Sequence, residues 1–375
     1  MEKGVNSGLL KMKYSLEDMF CKLLRVALGL SQDFPYTPTE HEWQNLFTMA
    51  QQQSVLSVVY NAFARLPEES RPPRQLRLRY AAFVESKRGR NLLMNQEAAR
   101  YTKLFEERGC RSVILKGQAN ARLYPDPLSR QAGDIDIWVP GGYDKVKQLL
   151  IDTGLVLEDD HSPKVFRHIG FKNENGIEVE VHYRPSEVPF RNREFQEVLL
   201  AESENSTLTP EGFYAPSIRF ALIMQLQHLY YHCVWEGVGF RHLMDYFVLL
   251  THSTEADREF AWAKIKRFSL GHACASVMWV LGKVFALPRE QMLCPPDKRR
   301  GMRLYRETLE GGNFGRSAPR NQGKRSTLAR WFRDRVRRFS WLGFDPLNTV
   351  LGEIYYWRNT ISLIPERIKR RKMFL

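Results

Sequence analysis

Two short stretches of strict alternation, Asp134-Ile-Asp-Ile-Trp-Val139 and Ile177-Glu-Val-Glu-Val-His-Tyr-Arg184, do most to limit what this chain folds into. Successive side chains on a strand point to opposite faces, so a period of two marks a sheet with one apolar and one polar side. Ile135 and Ile137 share the apolar side of the first stretch; Ile177, Val179 and Val181 share that of the second. The opposite sides then carry Asp134 with Asp136, and Glu178 and Glu180 with His182. Between the two stretches the pattern predicts a helix over 143–153. A hairpin follows, with arms at 165–172 and 177–184 joined at Asn173-Glu-Asn-Gly176, whose Asn-Gly pair is a strong turn signal. Ahead of them, Ser112-Val-Ile-Leu115 reads as a short buried strand entering a Lys116-Gly117 turn, and 118–123 as a brief helix stopped by Tyr-Pro-Asp-Pro at 124–127.

Helical spacing dominates elsewhere. Residues 15–107 carry apolar positions three and four apart, as in Leu23, Leu24, Val26, Ala27 and Leu30, with a long helix expected over 87–108. After Pro216 the spacing predicts helices at 220–231, 240–252 and 262–285. A Gly-, Asn- and Ser-rich connection read as flexible covers 311–326, and basic, aromatic-studded helices follow at 330–342 and 354–375. The expected class is α+β: a small mixed β-sheet core flanked by N-terminal and C-terminal helical regions. The expected division is a helical region at 1–107, the α/β core at 108–212, a helical domain completing the cleft at 213–296, and a basic helical extension at 297–375.

Paired carboxylates repel unless a cation sits between them. Magnesium favours oxygen ligands and is usually held by one or two carboxylates together with substrate phosphates. Asp134 and Asp136 therefore suit a metal–triphosphate site, and a neighbouring strand would add a third acid, either Glu178 or Glu180. Three acids can hold two ions, one at the attacking and one at the leaving oxygen. Lys116 and Gly117, at a strand end opening into a helix, suit phosphate: the backbone amides favour anions, glycine permits close approach and the lysine adds charge. Arg130 is expected to face phosphates or brace the Asp pair, and His182 to orient Glu180 or touch substrate.

Other pairs favour plainer readings. His228 and His232, four apart, lack the further ligands a zinc site needs and suit packing. Arg241 and Asp245, also four apart, form a helix-face ion pair or, alternatively, a wall of the acceptor pocket.

The formal net charge is +14, and fourteen lysines and arginines against three acids lie between Lys298 and Arg338. That excess points to phosphate-bearing partners without choosing among them. The segment 330–344 interleaves arginine with Trp and Phe. It suits an anionic membrane surface, stacking on nucleic acid, or aromatics packed on the domain under solvated arginines. Five separated cysteines argue against a disulfide framework and fit a reducing cytoplasm. The first twenty residues lack a signal-peptide core, and no stretch approaches the roughly 18 apolar residues of a spanning helix.

The segment LKGQANARLYPDPLSRQAGDIDIWV, followed by IEVEVHYR, closely resembles the uncharacterised bacterial nucleotidyltransferase family of the polymerase-beta-like superfamily. The resemblance is strongest over about 110–185 and extends to about 255. It implies that Asp134 and Asp136 bind the metal, that Glu180 stands for the third carboxylate, and that Gly117 matches the glycine of the superfamily's Gly-Ser phosphate turn. Gln118 replaces that serine, so the hydroxyl contact to triphosphate is missing and Lys116 is expected to compensate. Lys116, Gly117, Gln118, Arg130 and His182 are thus expected to bind nucleotide, and magnesium or manganese to be the cofactor. The expected activity is transfer of a nucleoside monophosphate from a triphosphate to an acceptor hydroxyl on a small molecule, sugar, protein or RNA. The alternative is a catalytically silent scaffold that docks on nucleic acid or anionic membrane through its basic C-terminal region.

Overall fold

The computed structural model describes residues 15–157, 167–318, 327–362 and 364. Capping sets the start of several helices. Ser15 caps α1 (Leu16–Ala27), and Thr39 and Glu42 form a reciprocal capping box on α2 (Glu40–Gln52). A short α3 (Leu56–Tyr60) precedes α4 (Arg74–Glu106), a 33-residue helix launched by Pro72-Pro73 and ended at Gly109 with φ +70°. It begins some thirteen residues before the expected 87, because nothing between Pro73 and Lys87 breaks a helix.

Beyond α4 come β1 (Val113–Ile114), α5 (Gln118–Ala121), β2 (Ile135–Trp138), α6 (Gly142–Asp152), β3 (His168–Lys172) and β4 (Glu178–His182). The sheet order is β1-β2-β4-β3. The inner pair β2–β4 is parallel, which needs the crossover that α6 supplies, and both outer pairs are antiparallel. Register places Asp136 opposite Glu180 and Ile137 opposite Val181. In the hairpin turn the Ile177 N–H donates to Asn173 Oδ1 at 2.9 Å, and Gly176 takes φ +67°.

The expected alternation decides which face goes where. Ile135, Ile137, Val179 and Val181 are buried against Met94, Ala98, Tyr101 and Phe105 of α4 and Val146, Leu149 and Leu150 of α6. The polar face meets the helices that follow: α7 (Asn192–Ser203), α8 (Ile218–Trp235) and α9 (Phe240–Thr251). Trp138 stacks on Phe220 of α8 with ring centroids 5.6 Å apart. A second, larger core joins α1–α3 to α8, α9, α11 (Gly271–Phe285) and α12 (Lys298–Gly311).

Several expectations need correction. The helix expected over 262–285 is two, α10 (Glu255–Arg267) and α11, because Ser269 adopts a left-handed φ of +59° between them. A two-stranded hairpin, β5 (Thr207–Leu208) with β6 (Tyr214–Ala215), went unread because two residues show no periodicity. The connection expected to be flexible over 311–326 begins as packed chain: Gly312, Asn313 and Gly315 are buried. Glycine explains this, since a Cβ on Gly237 would lie 2.6 Å from the Gly315 nitrogen and one on Gly239 2.9 Å from Asn313 Cα. Residues 319–326 of that connection, and 165–166 of the hairpin arm, lie outside the described residues. All five cysteines are free, yet Cys274 and Cys294 approach to 3.6 Å between sulfurs, which their separation in the chain conceals.

The C-terminal helices α13 (Thr327–Ser340) and α14 (Pro346–Ser362) match the reading of packed aromatics only in part: Trp341 and Phe344, just after α13, are buried in the core, but the arginines expected to be solvated are not. Arg335 and Arg338 turn inward to Glu353 at 2.7 and 3.0 Å, and Arg337 pairs with Glu307 and donates to the carbonyls of Cys233 and Val234. Phe332 (64% exposed), Ile354 (59%), Val336 and Phe339 face solvent instead. Arginine's planar head stacks well on rings, and Arg335 lies 3.7 Å over Tyr356 and Arg338 3.9 Å over Trp235.

Candidate active site

The parallel β2–β4 pair converts the two sequence alternations into one acidic cluster. Ligand oxygens of Asp134, Asp136 and Glu180 all lie within 4.8 Å of one another. Glu178, two residues back on β4, is exposed and pairs in register with Lys172 at the sheet edge, away from that cluster. Asp136 is 2% exposed; Asp134 and Glu180 are half-buried.

Two side chains of the protein itself offset the acids. Lys116 Nζ lies 3.1 Å from Asp136 Oδ2, and His182 Nε2 lies 3.1 Å from Asp136 Oδ1 and 3.4 Å from Glu180 Oε2. Burial alone would raise the Asp136 carboxyl, but the Lys116 charge and the His182 hydrogen bond hold it below its ordinary range. Burial likewise works against the cations of Lys116 and His182, and the surrounding carboxylates outweigh it, raising both. Mutual repulsion among the acids is thus relieved without any ion, and repulsion alone gives no reason for a metal. The case for one rests on the donor set: three carboxylates beside an open cleft match a hard, oxygen-seeking divalent cation. His168 of β3, which the sequence reading passed over, joins the cluster with Nδ1 at 3.3 Å from Glu180 Oε2. Only the register of β3 on β4, which sets His168 opposite His182, brings it there.

The cleft is open to solvent. The sheet side contributes Lys116, Gly117, Arg130, Asp134 and Asp136. Gln225, His228 and Leu229 of α8 and Arg241, His242 and Asp245 of α9 complete it. Gly117 has φ +62°, a conformation costly for other residues, and a Cβ there would lie 3.8 Å from the Asp134 carbonyl. Helix α5 has only four residues, so the dipole expected behind this turn is slight, and the charge comes from Lys116. Gln118 is buried outside the cleft lining, its amide without a hydrogen-bond partner among the described residues.

Arg130 is held, not free. Its Nε and Nη2 donate to the two carboxylate oxygens of Asp245 at 2.7 and 2.6 Å, and the Tyr124 hydroxyl donates to Oδ1 at 2.7 Å. Asn91 of α4 fixes the loop carrying Arg130 by donating to the Leu128 and Arg130 carbonyls at 2.8 and 2.7 Å. Burial pushes the Asp245 carboxyl up, but Arg130 holds it below the ordinary range. Asp245 therefore serves Arg130 rather than its helix neighbour, correcting the expected Arg241–Asp245 pair. Arg241 instead donates to the Gln131 carbonyl at 2.9 Å and lines the cleft beside the acids. His228 and His232 form a hydrogen-bonded pair at 3.0 Å between Nε2 atoms, and neither belongs to a metal-ligating group among the described residues.

A small mixed sheet that gathers three carboxylates beside a lysine- and arginine-lined cleft defines a nucleotidyltransferase-like protein. Residues 39–286 match the model of a family described as uncharacterised nucleotidyltransferase, and the chain belongs to that family. No curated protein and no solved structure matches the chain.

Proposed function

We propose that the protein transfers a nucleoside monophosphate from a nucleoside triphosphate to an acceptor hydroxyl and releases pyrophosphate, with the polymerase-beta-like superfamily as its wider kin. The observation that carries this reading is the convergence of Asp134, Asp136 and Glu180 within 4.8 Å beside a cleft that Lys116, Arg130 and Arg241 also line. These three would hold magnesium or manganese, which when bound would offset phosphate charge and activate the attacking and leaving oxygens. Lys116 sits beside Gly117 with its ammonium turned to the acids, where a triphosphate oxygen would share it. Arg130, fixed by Asp245 and Tyr124, supplies positive potential without adjusting its position. Arg241 adds a second such charge from α9. His182 keeps Asp136 and Glu180 ionised and oriented.

Titration calorimetry of the full chain with ATP, CTP, GTP and UTP, each with magnesium, tests the proposal. Metal-dependent binding of at least one is expected, with loss in Asp134→Asn and Glu180→Gln. Wild-type protein that binds none of the four overturns it.

The exposed apolar face of α13 and α14 favours a second role alongside catalysis, contact with an anionic membrane surface. No helix among the described residues is long and apolar enough to cross a membrane. The sequence after α14 carries Arg367, Lys369, Arg370, Arg371 and Lys372 against the single acid Glu366, a charge suited to anionic headgroups.

A further inference from the structure

The cleft has a second chemical wall that phosphate binding leaves unused. His228 and His232 lie one turn apart on α8, Glu236 follows at the helix C-cap, and their side chains form a chain. The Glu236 carboxylate lies 2.9 Å from His232 Nδ1, and His232 Nε2 lies 3.0 Å from His228 Nε2. His228 lines the same cleft as Lys116, Asp134 and Asp136.

Hydrogen-bond logic fixes the protons. A carboxylate only accepts, so His232 carries its hydrogen on Nδ1. A neutral His232 then has a lone pair on Nε2, which requires His228 to donate from its own Nε2. The lone pair left on His228 is at Nδ1. Burial, with Lys116 and Arg167 near both rings and Arg241 and His242 on the same side, keeps His228 and His232 neutral.

We propose that His228 is the general base for the acceptor hydroxyl, with His232 and Glu236 as positioning residues that carry the proton away. This rests on the nucleotidyl-transfer reading above. The acceptor oxygen bonds to the α-phosphorus as the bond from that phosphorus to the bridging oxygen of pyrophosphate breaks, and pyrophosphate leaves with the electron pair. The hydroxyl proton goes to His228 Nδ1, the Nε2 proton of His228 passes to His232, and the Nδ1 proton of His232 passes to Glu236. Positive charge then never stays on a buried ring beside Lys116; against burial, the His232 hydrogen bond holds the Glu236 carboxyl below its ordinary range, so Glu236 hands the proton on to solvent through a side chain that is 46% exposed. Asp136 is poorly placed for this task, since Lys116 and His182 already engage it.

Two measurements on the full chain test it. The first is pyrophosphate release from each nucleoside triphosphate with magnesium and a set of polyols (glycerol, ribose, glucose), in wild type, His228→Gln, Glu236→Gln and Asp134→Asn. Positioned general bases contribute roughly 10²–10⁴-fold, so His228→Gln should lose about that much turnover while calorimetric binding of the magnesium–nucleotide stays unchanged. Glu236→Gln should lose less and displace the pH profile. Asp134→Asn should lose binding itself. Undiminished turnover in His228→Gln overturns the proposal and leaves the nucleotidyl-transfer reading standing; absent nucleotide binding in wild type sinks the latter. The second, independent of any acceptor, is nitrogen NMR of histidine-labelled protein. It should find His228 protonated at Nε2 and His232 at Nδ1, and a proton on His228 Nδ1 at pH 7.5 overturns the relay.

Discussion

Arg130 and Asp245, 115 residues apart in the chain, meet in a two-pronged ion pair at 2.7 and 2.6 Å that ties the loop before β2 to helix α9. Both side chains are buried. The pair spans the cleft's two sides, so its geometry sets the distance between the acidic cluster and the α9 wall.

Removing one partner should therefore be costly. Asp245→Ala leaves Arg130 buried beside Arg241 with no carboxylate, and breaking such a pair typically costs about 3–5 kcal/mol. Chemical denaturation should show a loss of that size. The double variant Arg130→Met/Asp245→Leu should recover much of it, because no orphaned charge remains. If Asp245→Ala alone costs under about 1 kcal/mol, the pair does not hold the cleft.

Asp134→Asn should behave in the opposite way. Asp134 is half-buried, and substitutions at such positions usually shift stability by about 1 kcal/mol or less. Thermal melting in the absence of nucleotide should be nearly unchanged, whereas magnesium-dependent nucleotide binding should vanish. Asp136→Asn, at a buried site contacted by Lys116 and His182, should lose both. Equal melting losses in the two variants would show that Asp134 is structural.

The core strands, their apolar faces and the Asp134–Asp136 pair were legible because period-two alternation states both which residues pair with the core and which are left for chemistry; the same alternation offers Glu178 and Glu180 alike, and strand register singles out Glu180. The α13 arginines were misread for the opposite reason. Composition gives charge but not partners: Glu353, which draws Arg335 and Arg338 inward, lies beyond the basic segment, and Glu307, which holds Arg337, is counted in it as charge without a partner. Asp245 illustrates the same limit: helical spacing offered Arg241, while tertiary packing supplied Arg130. His168 carried no local signal at all, since only strand pairing places it against Glu180.

Acid should weaken the fold early. His228 and His242 are held well below the ordinary imidazole range, by burial first and then by Lys116, Arg167 and Arg241, and burial also lowers His232 despite Glu236. A histidine depressed in the folded state contributes stability above its unfolded pKa of about 6.5 and loses it as pH falls, at up to about 1.4 kcal/mol per pH unit for each group. His168 is lowered by burial as well, making four such groups, whereas His182, raised against burial by its hydrogen bonds to Asp136 and Glu180, contributes stability that is lost only as pH rises above about 6.5 and so does not oppose them in acid. Differential scanning calorimetry should find the melting temperature falling as pH drops from about 6.5 to about 5. A rise over that interval would contradict the neutral histidine cluster.

The final prediction concerns the apolar face. Phe332, Val336 and Phe339 recur on α13 at helical spacing, as do Val350, Ile354 and Ile361 on α14, and all six are exposed. Large side chains left in water gain roughly 1.5–3 kcal/mol each on moving into an apolar phase, so a few inserted residues plus the basic sequence that follows are enough for reversible attachment. Phe332→Ser/Ile354→Ser changes only exposed positions and should melt like wild type. Wild type should sediment with vesicles containing phosphatidylserine, more weakly with pure phosphatidylcholine, and less at high salt. The double variant should lose at least about tenfold in partitioning per position, following the same transfer energies. Equal sedimentation of variant and wild type excludes this face as the contact. Tight RNA binding without vesicle binding, or a concentration-dependent dimer lost in the variant, would assign the face to a different occupant.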